Sequence, residues 1–317
     1  MCDIWKREAR EEFRAADLER HRESLCTLGV RHVVLTGGEP LLHSDLQAFC
    51  NFFREQHIRL TLLTTGLLLL KRAADVATLF DDIIVSLDGP EEIHNNIRRV
   101  KDAFQLIHRG ITAVRGICAE IPIAGRCTVQ KSNHRHLRAT VNAAKRLGLD
   151  SISFLAADVT SEAFNRPLLW PVDRQIQITL TAAEASSLEV EMERLIIEHE
   201  EDIKSGYILE SADKLHSIAR RFRVALGEGN AVAPHCNAPW VSAVVEVDGS
   251  VRPCFFHPVI GNIESATLDE VVNGETARAF RQSLDIASNP TCRRCVCSLN
   301  YTGGTTHALP KAAYVNS

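Results

Sequence analysis

Read for polarity alone, the first half of the chain alternates two periods. Short runs rich in apolar and β-branched residues cover positions 32–36, 59–65, 82–87, 123–129 and 151–155. Between them, apolar residues recur every three or four positions, the spacing of one helix face: Ile93, Ile97, Val100, Phe104 and Ile107 in one stretch, Leu137, Val141, Ala144 and Leu147 in another. Strands alternating with helices of this length predict repeated β-α units and a parallel sheet or barrel with the helices outside. Past Leu155 the alternation stops. Residues 156–180 read as a connecting loop, 182–204 and 212–226 as helices, and the acidic run 189–202 as a solvated helix face. Gly227-Glu228-Gly229-Asn230 then marks a boundary before a cysteine-rich tail.

Polar and glycine-rich residues collect where the predicted strands end: Thr36-Gly37-Gly38-Glu39-Pro40, Thr64-Thr65-Gly66 and Ser86-Leu87-Asp88-Gly89-Pro90. The C-terminal ends of parallel strands are where such folds bind ligands, so three ends define one candidate site. Paired glycines let a ligand approach the backbone closely. Ser86 and Asp88 suit ribose hydroxyls, although Asp-Gly is also a common turn former.

Composition narrows the partners. The chain has 317 residues, 36 basic against 40 acidic, a net charge of −4 and 45% hydrophobic residues. That length allows one large domain or two ordinary ones. A mildly acidic chain without a long Lys/Arg run is a poor electrostatic match for nucleic acid or an anionic membrane surface. The most apolar stretch, 60–70, is eleven residues long and holds three threonines, against about 20 apolar residues for a membrane span. The first residues are charged and lack the apolar core of a signal peptide, so a cytoplasmic location is expected.

Ten cysteines in a reducing compartment read as core thiols, metal ligands or redox groups rather than disulfides. Cys26, Cys50, Cys118 and Cys127 have apolar neighbours and are expected in the core. Cys236, Cys254, Cys292, Cys295 and Cys297 crowd into the tail. Asp248-Gly249 is a hairpin signal, flanked by Cys236 and Cys254. With the Cys292-x2-Cys295 pair, these make a four-thiolate site that suits either zinc or an iron–sulfur cluster.

Taken together, Cys2-Asp3-Ile4-Trp5, Gly37-Gly38-Glu39-Pro40, Ser86-Leu87-Asp88-Gly89-Pro90 with His94 and Arg98, and Cys236-x12-Gly249-x4-Cys254 resemble the radical SAM enzymes that carry a C-terminal SPASM or twitch extension. The resemblance spans nearly the whole chain. It implies an α/β fold: a partial (β/α)6 TIM-like barrel over 1–160, a bridging region over 161–230, and a small cysteine-rich α+β iron–sulfur domain over 231–317. It further implies that three thiolates of a C-x3-C-x2-C loop hold a 4Fe-4S cluster with one open iron, chelated by S-adenosylmethionine (SAM). Electron transfer then yields a 5′-deoxyadenosyl radical that abstracts hydrogen from the substrate. Gly37, Gly38 and Glu39, in the turn closed by Pro40, would meet the methionine amino group, and Ser86 and Asp88 the ribose. Asn133 is a further SAM contact or, alternatively, a cap for the helix over 135–147. An auxiliary 4Fe-4S cluster falls to Cys236, Cys254, Cys292 and Cys295, with Cys297 a substitute for either of the last two. The implied substrate is a peptide, protein or small metabolite, with peptide and protein maturation favoured, and the reductant is of the flavodoxin or ferredoxin kind.

The chain departs from this pattern at its first residues. It holds one of the three loop cysteines, Cys2, with Met1 in the place usually taken by an apolar or aromatic residue, and it offers five strand runs where the family's partial barrel has six. The expectation is a chain truncated inside the C-x3-C-x2-C motif, lacking the first strand and defective in SAM cleavage. An in-frame upstream translation without Cys-x3-Cys ahead of Cys2 would instead point to a degenerate relative. The alternative from another class is a non-catalytic zinc-binding or scaffold protein with a structural four-cysteine site. Residues 156–170, where substrate contacts are expected, carry no signature that names the substrate.

Overall fold

The computed structural model describes residues 12–161, 163 and 168–302. Five strands, β1 (His32–Leu35), β2 (Arg59–Thr64), β3 (Asp82–Ser86), β4 (Ile123–Val129) and β5 (Ser151–Ala156), pair in parallel in the order β1-β2-β3-β4-β5. Each lies within a residue of its expected position, because each is bounded by turn-forming or glycine-containing segments. Sequential order without reversal is the pattern of a β/α barrel, whereas a doubly wound sheet reverses at a switch point.

The period of two separates the faces of this sheet. Leu60, Leu62, Ile83, Val85, Ile123, Cys127, Val129, Ile152 and Phe154 lie on one face, all buried. There they form a single core with Phe52, Val76, Ile107, Val114 and Val141 from the connecting helices. The other face is polar, carrying Arg59, Thr61, Asp82, Ser86, Arg126 and Ser153. Near the strand starts it is closed by a paired network. Arg59 Nη2 donates to Asp82 Oδ2 at 2.7 Å, Thr61 Oγ1 donates to Asp82 Oδ1 at 2.7 Å, and His32 Nε2 lies 2.6 Å from Thr61 Oγ1.

Several local expectations change. The helical spacing from Ile93 to Ile107 is carried by two helices, Glu91–Arg98 and Ala103–Ile117, separated by left-handed backbone at Arg99 and Asp102. Asn95 Oδ1 accepts from Phe104 N–H at 2.9 Å, so the first helix satisfies the open amino end of the second. The acidic run is less solvated than expected. It divides at His199 into Ala182–Glu198 and Glu200–Lys204, and Glu191 is buried against Arg138, with a 3.0 Å ion pair. Asp202 meets Lys145 at 2.7 Å, so two members of the run clamp these helices to Leu137–Arg146. Cys50 and Cys127 are buried as expected, but Cys26 is exposed on the outer side of Arg22–Thr27 and Cys118 is only half-buried.

The tail forms a second, three-stranded antiparallel sheet of β6 (Val244–Val245), β7 (Ser250–Arg252) and β8 (Gly261–Asn262). Gly249 turns the predicted hairpin at φ +77°, where a Cβ would lie 2.6 Å from Asn262 Oδ1. A small core of Val251, Ile260, Ile263, Val271 and Ala277 supports it. The helix Leu268–Asn273 docks on Arg22–Thr27, where Ser24 donates to Asp269 and Arg20 Nη1 donates to Glu264 O at 2.9 Å. At the far end of the tail, Val296 and Cys297 leave this small core and pack against the main one. No helix among the described residues is long and apolar enough to cross a membrane.

Leu62 is fully buried between sheet and helices, whereas Leu42 is 68% exposed. Leu62→Ala should therefore cost about 2–5 kcal/mol of unfolding free energy in urea titrations, and Leu42→Ala less than about 0.5 kcal/mol.

Candidate functional site

The end of β1 is open. Gly37 has φ +127°, a conformation that favours glycine, and a Cβ added at Gly37 or Gly38 would meet nothing within 4 Å. Both residues are exposed, so a ligand can reach this backbone. Glu39 ties the loop to the end of β2. Its Oε1 accepts from Thr64 Oγ1 at 2.7 Å and Leu41 N–H at 3.3 Å, and its Oε2 accepts from Thr65 N–H at 2.9 Å. Pro40 begins the single turn Pro40–Leu42, which buries Leu41. The sequence-predicted Gly37, Gly38, Glu39 and Pro40 thus form one rigid lip.

The end of β3 divides between the open face and the interior. Ser86 is half-buried and pairs in register with Arg126, on the polar face of the sheet. Asp88 is sealed. Its Oδ2 accepts from Arg98 Nη2 at 2.7 Å and its Oδ1 from Thr128 N–H at 3.1 Å, and the residue is 2% exposed. Asn133, fully buried, donates from Nδ2 to Asp88 O at 2.9 Å and Thr128 O at 3.0 Å, while its Oδ1 accepts from Gln130 N–H at 2.8 Å. The helix that follows begins at Leu137 with His136 as its N-cap residue, so Asn133 is not its cap. His94 Nδ1 accepts from Asp88 N–H at 3.1 Å. Burial, reinforced by Arg98, pushes the His94 pKa down to about 4, so the imidazole is neutral. Asp88, Asn133, His94 and Arg98 thus form a buried joint behind Ser86, and of the ribose candidates it is Ser86 that faces the open side.

A charged wall that the sequence reading missed completes this face. Arg126 Nε donates to Ser153 Oγ at 3.3 Å. Glu210, 4% exposed, accepts from Phe154 N–H at 2.9 Å. Burial pushes its carboxyl up to about 8, against the lowering effect of Phe154 N–H, Arg126 and Lys214. Lys214 and Arg221 project from Ala212–Ala225, both held below their ordinary values by burial. Arg126 carried a signal, a lone charge inside an apolar strand run. Glu210 carried none, since it sits beside a helix start where any polar residue fits.

The tail cysteines gather into one loose ring. Cys236, Cys254 and Cys292 lie within electrostatic reach of one another, and Cys295 within reach of Cys254. Burial, then the neighbouring Cys254 and Cys236, pushes the Cys292 thiol up to about 11, and burial pushes Cys254 and Cys295 up as well. The backbone presents each thiol. Asn289 Oδ1 accepts from Cys292 N–H at 3.1 Å at the start of Pro290–Arg294, and Cys295 Sγ donates to Cys297 O at 2.7 Å. Cys297 acts on Cys295 more strongly than Cys254 does, and its charged neighbours are Arg126, Lys214 and Arg221. Lys214 Nζ donates to Ser298 Oγ at 2.9 Å and secures that turn.

Among the described residues, no three His, Cys, Asp or Glu side chains gather tightly enough to hold a single metal ion. Four thiolates can hold a four-iron cluster or a zinc ion, and binding either would release their protons. Cys2 lies outside the described residues.

The glycine lip leaves the strand ends of a β/α-barrel sheet open, and the tail brings several thiols together. Residues 1–155 match the family model described as the radical SAM superfamily, and residues 236–296 match an iron–sulfur cluster-binding domain named SPASM. The chain is similar to an AdoMet-dependent heme synthase of Methanosarcina barkeri, 28% identical over 83% of this chain and 73% of the relative. It is also similar to the subtilosin biosynthesis protein AlbA of Bacillus subtilis, 22% identical over 87% of this chain and 56% of the relative. Among solved structures, anSMEcpe with bound AdoMet superposes with a TM-score of 0.60 at 20% identity, covering 84% of this chain and 73% of that one. Streptococcus suis SuiB bound to its precursor peptide SuiA gives a TM-score of 0.58 at 14% identity, covering 94% and 68%. The chain belongs to the radical SAM superfamily, an enzyme family, and carries its SPASM extension. Its cofactors are accordingly 4Fe-4S clusters and SAM.

Because Glu210 binds its proton more tightly folded than unfolded, its contribution to stability is complete below pH 4.5 and is lost as pH rises towards 8. Glu210→Gln should remove up to about 1.4 kcal/mol per pH unit of that decline between pH 4.5 and 8, read as flatter urea-midpoint curves across that range.

Proposed function

We propose that this chain is a radical SAM oxidoreductase, with an auxiliary cluster in its tail, that modifies a peptide or protein, with a small metabolite as the other substrate class. The observation that carries this reading is that Ser86 and Arg126 pair on the inner side of the sheet that ends in the open Gly37-Gly38 lip, and that Arg126 is also a charged neighbour of Cys297. A substrate seated there would meet both the SAM end and the auxiliary end. The names of AlbA, a bacteriocin biosynthesis protein, and of SuiB, bound to a precursor peptide, support a peptide, and the heme synthase supports the metabolite.

In this reading Gly37, Gly38, Glu39, Pro40 and Ser86 receive SAM, while Asp88 and Asn133 act from behind by fixing the loop that presents Ser86. Glu39 keeps the lip rigid through Thr64 and Thr65, so the ligand is oriented before reaction. Cys2 is the one loop cysteine in this sequence for the SAM-binding cluster. Cys236, Cys254, Cys292 and Cys295 take the auxiliary cluster, with Cys297 a substitute for either of the last two. When bound, the cluster and SAM supply one-electron chemistry and a radical that abstracts hydrogen; the protein orients the reactants and keeps water out. A flavodoxin- or ferredoxin-type reductant and the cytoplasm fit that chemistry. The zinc-scaffold alternative has no comparable support, since residues 236–296 match an iron–sulfur cluster-binding domain.

Anaerobic reconstitution followed by iron, sulfide and zinc analysis tests the assignment. Protein of this sequence should hold about four irons, lose them in Cys254→Ser, and release no 5′-deoxyadenosine from SAM under dithionite. Colourless protein with one zinc, or about eight irons per chain, overturns the assignment.

A further inference from the structure

His257 closes the run Cys254-Phe255-Phe256-His257 and belongs to none of the ligand sets above. It is 5% exposed. Three contacts hold it. Its carbonyl accepts from Arg252 Nη1 at 3.0 Å, and its ring packs edge-on against Phe280 with centroids 4.9 Å apart. The third contact is Nε2, which lies 3.3 Å from Cys292 Sγ, within hydrogen-bond range for sulfur. The same residue also reaches a second thiol of the ring, since the backbone N–H groups of Phe256 and His257 point at the Cys254 sulfur.

A sulfur committed to iron is a thiolate and can only accept. The ring nitrogen that faces it must then carry the hydrogen, which assigns the proton to Nε2. Such an N–H withdraws charge from the sulfur and stabilises the reduced cluster relative to the oxidised one. Hydrogen bonds to ligand sulfurs are among the main determinants of an iron–sulfur potential, and outer partners of this kind also fix the ligand's orientation. Packing on Phe280 restricts the imidazole plane, so the donor is held in place in advance.

We propose, on the reading that Cys292 is an auxiliary-cluster ligand, that His257 is a positioning residue whose Nε2–H bonds Cys292 Sγ and raises the reduction potential of that cluster. The family assignment alone does not specify such a residue; it follows from the 3.3 Å contact and the burial.

The test is a redox titration of anaerobically reconstituted wild-type, His257→Phe and His257→Gln proteins, followed by electron paramagnetic resonance, with iron and sulfide counted on the same samples. Phe retains the packing on Phe280 and removes the donor, while the Gln amide N–H reaches a similar point. The expected result is equal iron in all three, a lower midpoint potential in His257→Phe, and a wild-type potential in His257→Gln. An unshifted His257→Phe with full iron overturns this inference alone. If His257→Phe loses iron, His257→Gln decides: retained iron at the wild-type potential supports the donor role, and a lost cluster or a lowered potential overturns it. Wild-type protein without iron–sulfur absorbance overturns the cluster reading, and this inference with it.

Discussion

Charge buried inside the barrel must be paired, and that constraint organises the rest of the structure. The helix-facing side of the sheet is apolar and needs only to be packed. The inner side carries Arg59, Asp82, Asp88, Arg126 and Glu210, each of which would be costly to bury alone. Asp82 is matched by Arg59 and Thr61, and Asp88 by Arg98 and Thr128. Removing one partner from such a pair leaves an uncompensated buried charge, so each pair also holds two strands, or a strand and a helix, together. The interior of the sheet can therefore be polar, and hospitable to a polar cofactor, without losing rigidity.

The same reasoning explains the tail. Lys214 and Arg221 lie in a partly enclosed position where burial works against their charge, with the tail cysteines among their nearest ionisable neighbours. Thiolates gathered on a cluster would supply the negative charge these cations lack. Val296 joins the main core and Ser298 accepts from Lys214, so the thiol ring is bound to the barrel rather than trailing from it. At the other side, Ser24 and Arg20 bind the small domain to the first helices. These two attachments hold the small domain against the barrel.

Much of this was legible in the residues. The five strands were readable because period-two apolar runs ended in Gly, Pro and Asp-Gly turns, and the Asp248-Gly249 hairpin because glycine there adopts positive φ. The Ile93 to Ile107 pattern hid a helix break, since apolar spacing continues across a turn when both helices face the same core. The acidic helix misled in a similar way. Glu191 and Asp202 have the composition of a solvated face but are held by Arg138 and Lys145 from a neighbouring helix.

The sequence by itself determined the alternation of elements, the glycine lip and the crowding of cysteines, because these depend on local propensity and short spacing. Only the tertiary structure decided which of those residues face the chamber. Asp88 and Ser86 are two positions apart, yet one is sealed by Arg98 and the other lies open beside Arg126. Cys295 and Cys297 stay together, and both come within electrostatic reach of Lys214 and Arg221. The partners in these contacts, Arg98, Thr128, Lys214 and Arg221, lie 10 to 83 residues away, beyond the reach of any local pattern.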